Sequence, residues 1–283
     1  MSIGNISDTA RWVALYRAWE SERPDALFHD PYARKLAGPD AEELVAAVPG
    51  GTRMAWAMVV RTQLLDEMIL RAVHRDGFDT VVNLAAGLDA RPFRMALPST
   101  LRWVDVDLPG ISRYKREQLA GERAACRYES EEVDLADVDA RRSLFTRINV
   151  KAERALVISE GLLVYLPAAD VAALAADLHD QPCFLRWLTD LAGPRLLGML
   201  HKQMGGHLAK GGVRMQFAPE EGPRFFQPFG WRLAELRSTM DEARRLRREM
   251  PLAWLWRGLG RLYPAKVREE LRTMSAIVAL ERT

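Results

Sequence analysis

The feature that most constrains this chain is an alternation beginning at Thr80, where short apolar, β-branched runs are separated by helical stretches. Such alternation marks βα units that feed a parallel sheet. The runs predict strands at Thr80–Leu84, Leu101–Val106, Cys126–Glu129, Ala155–Ser159 and Cys183–Leu188. Two more follow Gly230, at Trp231–Leu236 and Ser275–Leu280, with a long helical stretch between them. A length of 283 residues allows one large core or two small ones. Because no repeat or flexible linker interrupts the alternation, a single α/β, Rossmann-like domain with a seven-stranded, mostly parallel sheet is expected over residues 1–283.

The segments outside the alternation read as its cover. Trp12, Leu15, Tyr16 and Trp19 fall on one face at helical spacing, and breakers follow at Pro24, Asp30-Pro31 and Pro49-Gly50-Gly51. A longer helix is predicted from Met54 to Arg75, closed by Gly77. The span from Gly205 to Gly230 is rich in glycine and proline yet carries Phe217, Phe225, Phe226 and Phe229, so it is predicted as a lid with apolar contents. The expected organisation is a helical N-terminal cover (1–75), a cofactor-binding core (76–190), a lid and acceptor region (191–230) and C-terminal strands and helices (231–283).

Charge and cysteine content narrow the class. Forty basic against 38 acidic side chains leave a net charge of +2, far from the basic excess with which nucleic-acid binders neutralise phosphates. Cys126 and Cys183 are too few for a disulfide framework or a zinc site closed by thiolates. Met1 to Ala10 lacks the pattern of a secretory signal, and no apolar run approaches the ~20 residues of a membrane span. A cytoplasmic enzyme or binding protein is expected, with no nucleic-acid or membrane partner and no resident metal. The stretch 241–272, with nine basic and five acidic residues, reads as a solvated helix face.

The chemistry concentrates in Val81-Val82-Asn83-Leu84-Ala85-Ala86-Gly87-Leu88-Asp89-Ala90-Arg91. A buried strand enters a tight turn of small residues and then a helix, which is where doubly wound sheets bind ligands. Gly87 allows close backbone approach. Twenty residues later, Asp105-Val106-Asp107 ends the second strand with carboxylates able to accept from two ribose hydroxyls. One of the two acids is expected to face the pocket and the other solvent or a helix, and Asp107 is assigned to the ribose. The turn carries one glycine and an acid, Asp89, where a dinucleotide site needs three glycines to seat a pyrophosphate on the helix N-terminus. An acid there suits a cationic sulfonium better than a diphosphate. Asp89 also fits the plain role of N-capping the next helix.

These residues, with Tyr16-Arg17-Ala18, Phe28-His29-Asp30-Pro31-Tyr32-Ala33, Arg94, Ser159-Glu160-Gly161-Leu162-Leu163-Val164-Tyr165-Leu166 and Glu221-Gly222-Pro223-Arg224-Phe225-Phe226, occur in an order that resembles the leucine carboxyl methyltransferase family. The likeness is to its bacterial branch with polyketide O-methyltransferases, and runs from Ala14 to the C-terminus. It implies a class I methyltransferase fold and S-adenosylmethionine as cofactor, with S-adenosylhomocysteine as product. It further implies that Arg61 pairs with the cofactor carboxylate, for which a guanidinium fork is suited. Arg17 would help close the same pocket, Glu160 would hold the cofactor ammonium, and Asp134 with Leu135 would read adenine. Ala85 stands where many relatives have glycine, beside the retained Gly87. Asp134 also belongs to an acidic run that reads equally as a solvated loop.

Methyl transfer from a sulfonium is an in-line displacement that needs alignment and exclusion of water. A carboxylate acceptor is already ionised, whereas a phenol with pKa near ~10 needs a base or a cationic neighbour. Tyr165 would orient the acceptor by family analogy, or serves simply as a core tyrosine. His179, His201 and His207 lie near the lid and read as surface residues. Phe225, Phe226, Phe229 and Trp231 either floor the acceptor pocket or pack the core. The expected function is O-methylation of a small acidic or phenolic metabolite. Methylation of a protein C-terminal carboxylate, or cofactor binding without catalysis, are the competing readings, and the oligomeric state is not legible.

Overall fold

A computed structural model of the chain describes residues 6–47, 49–210, 214–260 and 263–283. Part of the lid span, residues 211–213, and the side chain of His207 therefore lie outside the described residues. The seven expected strands are present: β1 (Thr80–Leu84), β2 (Arg102–Asp107), β3 (Arg127–Glu132), β4 (Ala155–Ser159), β5 (Phe184–Ala192), β6 (Trp231–Ser238) and β7 (Ser275–Arg282). They form one sheet in the order β3-β2-β1-β4-β5-β7-β6. β1 to β5 run parallel, and β7 is antiparallel to both of its neighbours.

Burial explains which strand lies where. β1 and β4 sit at the centre and are buried at every position, as their continuous apolar sequences require. β3 reads Arg-Tyr-Glu-Ser-Glu-Glu and occupies one edge, where charged side chains reach water and discourage further pairing. Side chains alternate across the pleat. Val82, Leu84 and Trp187 face a core shared with the helices Val138–Asn149 and Ala168–His179, while Val81, Trp103 and Ile158 face the helices Ala55–His74 and Thr239–Arg245.

A third apolar cluster docks the N-terminal helices. Trp12, Leu15 and Tyr16 of the helix Ile6–Ser21 pack with Leu36, Leu44, Leu88 and Ile111. The long helix spans Ala55–His74, within one residue of the predicted bounds at each end, and Gly77 follows with φ +74°.

Three expectations need correction. β1 and β4 have the expected bounds, but the other strands run past their apolar runs, most of all β5, which continues through Thr189-Asp190-Leu191-Ala192 because it pairs with β7 to its last residue. The span from Gly205 is not irregular throughout, since a helix covers Pro194–Lys210 and a 3-10 helix covers Gly222–Phe229. The stretch 241–272 is not simply a solvated face. It comprises the rest of the helix Thr239–Arg245 and two further helices, Ala253–Gly260 and Ala265–Thr273. Arg248 within it is buried, with ion pairs to Glu20 at 2.8 Å and Asp25 at 3.1 Å. Among the described residues no helix is long and apolar enough to cross a membrane.

Candidate active site

The site forms where the parallel strands end. A cavity of about 270 Å³ lies across the C-terminal ends of β1, β2, β4 and β5, roofed by the helices Ile6–Ser21, Ala55–His74 and Pro194–Lys210. This is the position that doubly wound sheets leave open, where the chain order reverses between β1 and β4.

The turn after β1 makes the floor. Ala85 has φ +50° and Gly87 φ +53°, so two residues of a short turn adopt the left-handed conformation. A Cβ on Gly87 would lie 3.3 Å from the Ala10 Cβ, so the N-terminal helix already approaches this backbone closely. The Gly87 amide donates to Asp107 Oδ2 at 2.6 Å, and the Leu108 amide donates to Asp107 Oδ1 at 2.7 Å. Burial pushes the Asp107 carboxyl above its ordinary value, against the pull of these two hydrogen bonds.

The two acids of β2 have separate jobs. Asp105 points inward and accepts from Lys115 at 2.6 Å, Trp103 at 2.8 Å, Tyr128 at 2.9 Å and Asn83 at 3.2 Å. It does not line the cavity, whereas Asp107 does.

Opposite the floor, Glu160 follows β4 and accepts from Arg61 Nε at 2.9 Å and Arg91 Nη1 at 2.8 Å. Burial disfavours its charge, but Arg91 and Arg61 outweigh that and hold its carboxyl below the usual range. Arg61 donates again from Nη1, to Asp190 Oδ2 at 3.2 Å. Asp190 Oδ1 takes the Gly161 amide at 2.6 Å.

Arg91 is the buried centre of the cluster. Besides Glu160 it pairs with Asp66 at 2.6 Å and Asp89 at 2.7 Å. Asp89 also accepts from the Arg91 amide at 2.8 Å, a capping contact, and from Asn83 at 3.0 Å. Burial opposes ionisation of Asp89, yet Arg91, Lys115 and Arg17 hold its carboxyl far below the usual range. Its capping and its place in the cavity lining are thus both present. Arg17 is buried, donating to Asp30 at 2.8 Å and to the Leu88 carbonyl at 2.6 Å, which ties the first helix to the turn.

Of the residues predicted from sequence, Arg17, Arg61, Ala85, Gly87, Asp107, Glu160 and Tyr165 line the one cavity. Asp134 and Leu135 are not in the lining. Asp134 is exposed after β3 and accepts from the Ala136 amide at 2.9 Å, while the Leu135 carbonyl accepts from Arg141 at 2.7 Å. Sequence reasoning gave no role to Arg91 and missed Asp190. An arginine directly after an acid-bearing turn was a usable signal for the first. Asp190 was hidden because the expected strand stopped at Leu188, four residues before the end of β5.

The aromatic lid residues pack away from the site. Phe226 is fully buried with its ring 5.2 Å from that of Trp187, and Trp187 stands 5.8 Å from Trp231. These rings, with Phe217, Phe225 and Phe229, belong to the core under the helix Ala168–His179. The cavity is closed instead by Leu196, Leu200 and Met215, with Met54 and Met58 beside them. His201 hydrogen-bonds the Met215 carbonyl at 2.6 Å and His179 packs on Trp231. Neither enters the lining.

Strand order, the single reversed strand and a cavity at the strand C-termini define the class I methyltransferase fold. The chain belongs to the leucine carboxyl methyltransferase family, whose model matches residues 10–179. Relatives include a protein of Streptomyces coelicolor named "Putative S-adenosyl-L-methionine-dependent methyltransferase", 37% identical over 185 residues that cover 61% of this chain and 64% of the relative. A Mycolicibacterium smegmatis protein of the same printed name is 34% identical over 72% of this chain and 76% of its own length. The match thus spans somewhat under two thirds of the Streptomyces coelicolor relative. Among solved structures, a DUF574 family protein from Streptomyces avermitilis shares the fold, with TM-score 0.59, 11% identity and 97% of each chain covered.

Proposed function

We propose that this chain is an S-adenosylmethionine-dependent O-methyltransferase acting on a small, largely apolar metabolite. The observation that carries this reading is the single cavity lined by Arg61, Gly87, Asp107 and Glu160, drawn from four separate segments of the chain. Its donors and acceptors fit the cofactor. Arg61 has five N–H protons and spends two on Glu160 and Asp190, so three remain for a carboxylate among the described residues. Asp107 presents a half-buried carboxylate to the cavity, braced by the Gly87 amide.

In this reading Asp107 accepts from the ribose hydroxyls, Arg61 takes the carboxylate and Glu160 the ammonium group. Asp134 and Leu135 follow the β3 strand on the adenine side and would read the base from its edge. The cofactor supplies a methyl group on a positive sulfur, and the reaction requires no covalent link to the protein. The chain's own task is to hold the acceptor oxygen in line and to keep water out. Leu196, Leu200, Met215, Met54 and Met58 provide that apolar wall. Tyr165 keeps its proton at neutral pH because burial raises its pKa, so it orients an acceptor by donating a hydrogen bond.

The three arginines of the lining are already paired with carboxylates: Arg17 with Asp30, Arg61 with Glu160 and Asp190, and Arg91 with Asp66, Asp89 and Glu160. Among the described lining residues a carboxylate acceptor beside a bound cofactor would lack a cation of its own, which favours a hydroxyl and counts against a protein C-terminus as acceptor. The test is incubation with methyl-labelled cofactor and a host metabolite extract, followed by mass spectrometry. Label in a small metabolite is expected. Label only in added protein would overturn the acceptor class, and cofactor binding with no transfer to any component would reduce the chain to a binding protein.

A further inference from the structure

We infer that Asp190 is a positioning residue, which fixes the Arg61 guanidinium so that it can receive the amino-acid end of the cofactor. The inference rests on the reading of Arg61 given under the proposed function and adds the device that aims it. Arg61 and Asp190 are 129 residues apart in sequence and meet only through the fold, one on the helix Ala55–His74 and the other near the end of β5.

A long arginine side chain loses rotamer freedom when it is held, so an arginine that must face a ligand gains from being ordered beforehand. Here two carboxylates order it from two sides. Glu160 takes Nε and Asp190 takes Nη1. The side chains of Arg61, Glu160 and Asp190 are 12%, 14% and 22% exposed, so the ion pairs are shielded from bulk water without being sealed from a ligand.

Asp190 also holds the backbone against which Arg61 rests. Its second oxygen accepts the Gly161 amide at 2.6 Å. Gly161 has φ +67°, and a Cβ there would lie 3.4 Å from Arg61 Nη1 and 3.5 Å from Nη2. The glycine therefore lets the loop after β4 lie flat on the guanidinium, and Asp190 fastens that loop to β5. Glu160, Gly161, Asp190 and Arg61 close a ring of contacts in which loss of Asp190 frees two members at once.

Together Arg61, Glu160 and Asp190 carry one positive and two negative charges. Such a set suits a zwitterion, whose carboxylate goes to the remaining guanidinium protons and whose ammonium goes to the acidic side.

The experiment compares two ligands by calorimetry on the full chain: S-adenosylhomocysteine, which has the amino-acid end, and 5′-methylthioadenosine, which lacks it. The variants are Asp190→Asn, Arg61→Ala and the double substitution. Asp190→Asn should weaken S-adenosylhomocysteine about tenfold, equivalent to about 1.4 kcal/mol, and leave 5′-methylthioadenosine within about twofold. In the Arg61→Ala background it should add nothing further, because a residue that acts through Arg61 has no effect once Arg61 is gone. Unchanged affinity in Asp190→Asn, equal loss of both ligands, or an additive double variant would each overturn the inference. If Arg61→Ala itself leaves S-adenosylhomocysteine binding intact, the assignment of Arg61 fails as well, an outcome distinct from failure of Asp190→Asn alone.

Discussion

The Gly87 amide donates to Asp107 Oδ2 at 2.6 Å, so the carboxylate that ends β2 braces the turn that ends β1. The same carboxylate is the one assigned to the ribose, and binding needs it ionised. Burial raises its pKa, so protonation sets in above the ordinary carboxylate value of about 3.9. Cofactor affinity should therefore fall as pH drops through that raised range. The sign for the free protein is opposite: because ionisation of Asp107 is disfavoured in the folded state, its contribution to stability is greatest at low pH and declines as pH rises through its folded pKa. Asp107→Ala should weaken S-adenosylhomocysteine about tenfold or more, the scale of hydrogen bonds to a charged group, and flatten the acid limb of the binding profile. Calorimetry at several pH values would check both, and an unchanged acid limb would place the titrating group elsewhere.

Ala85 holds φ +50°, a conformation that costs an ordinary L-residue about 1–2 kcal/mol. Glycine relieves that strain but gives back about 0.4–1 kcal/mol through the freedom it adds to the unfolded chain. Ala85→Gly should thus be neutral to stabilising by up to about 1 kcal/mol, which corresponds to a rise in Tm of about 2 °C at this size. Cofactor affinity should be kept or improved, since the turn keeps its shape and loses a methyl group. A clear drop in Tm would show that the Ala85 methyl contributes packing worth more than the strain.

Arg91 is 2% exposed and neutralises Asp66, Asp89 and Glu160 together. Its removal leaves Asp89 without its ion-pair partner and leaves Asp66 and Glu160 with only Arg94 and Arg61, and breaking a buried pair costs about 3–5 kcal/mol. Arg91→Met should destabilise the fold by at least that much in urea unfolding. Arg91→Lys should rescue little, because a single ammonium lacks the planar fork that reaches Asp66 from Nε and Asp89 and Glu160 from Nη1. The pH sign follows from Asp89 and Glu160, whose folded pKa values are depressed. Their stabilisation is present above the unfolded carboxylate values of about 4 and is lost as pH falls through the lower folded values. Asp89→Asn should make the acid limb of stability shallower.

The centre of the sheet was legible because β1 and β4 are short, mostly apolar runs, and burial at every position is what such runs require. The ends of strands were less legible. Thr189 and Asp190 are polar; Thr189 is held by Ser159 of β4 and Val278 of β7, and Asp190 pairs with Ile277 of β7, nearly ninety positions later in the chain. The same long-range pairing put Asp190 into the site unseen. Asp105 and Asp107 are two apart and share a face of β2, so spacing does not separate them; position does, because Asp105 lies within the strand and is taken by Lys115, whereas Asp107 ends it at the cavity. Asp134 and Leu135 came from motif resemblance alone, and their loop stands outside the cavity lining. The aromatic span left two readings open because apolar content says that a segment is buried without saying against what, and the structure places these rings in the core.

That last distinction is testable with Phe226. Its ring is fully buried, 5.2 Å from the ring of Trp187 and 5.3 Å from that of Phe225, and it takes no part in the cavity lining. Phe226→Ala should cost about 3–5 kcal/mol of stability, the range for a buried phenylalanine that leaves a cavity behind. Affinity for S-adenosylhomocysteine, measured below the lowered Tm, should stay within about twofold, because Phe226 is outside the cavity lining and Glu160 and Asp190 are held there by their ion pairs to Arg61. Leu200→Ala makes the opposite case. The residue lines the cavity from the helix Pro194–Lys210 and is half-buried, so its truncation should cost little stability and change the rate of methyl transfer to an apolar acceptor instead. If Phe226→Ala altered acceptor turnover while Leu200→Ala did not, the aromatic segment would be the acceptor floor after all.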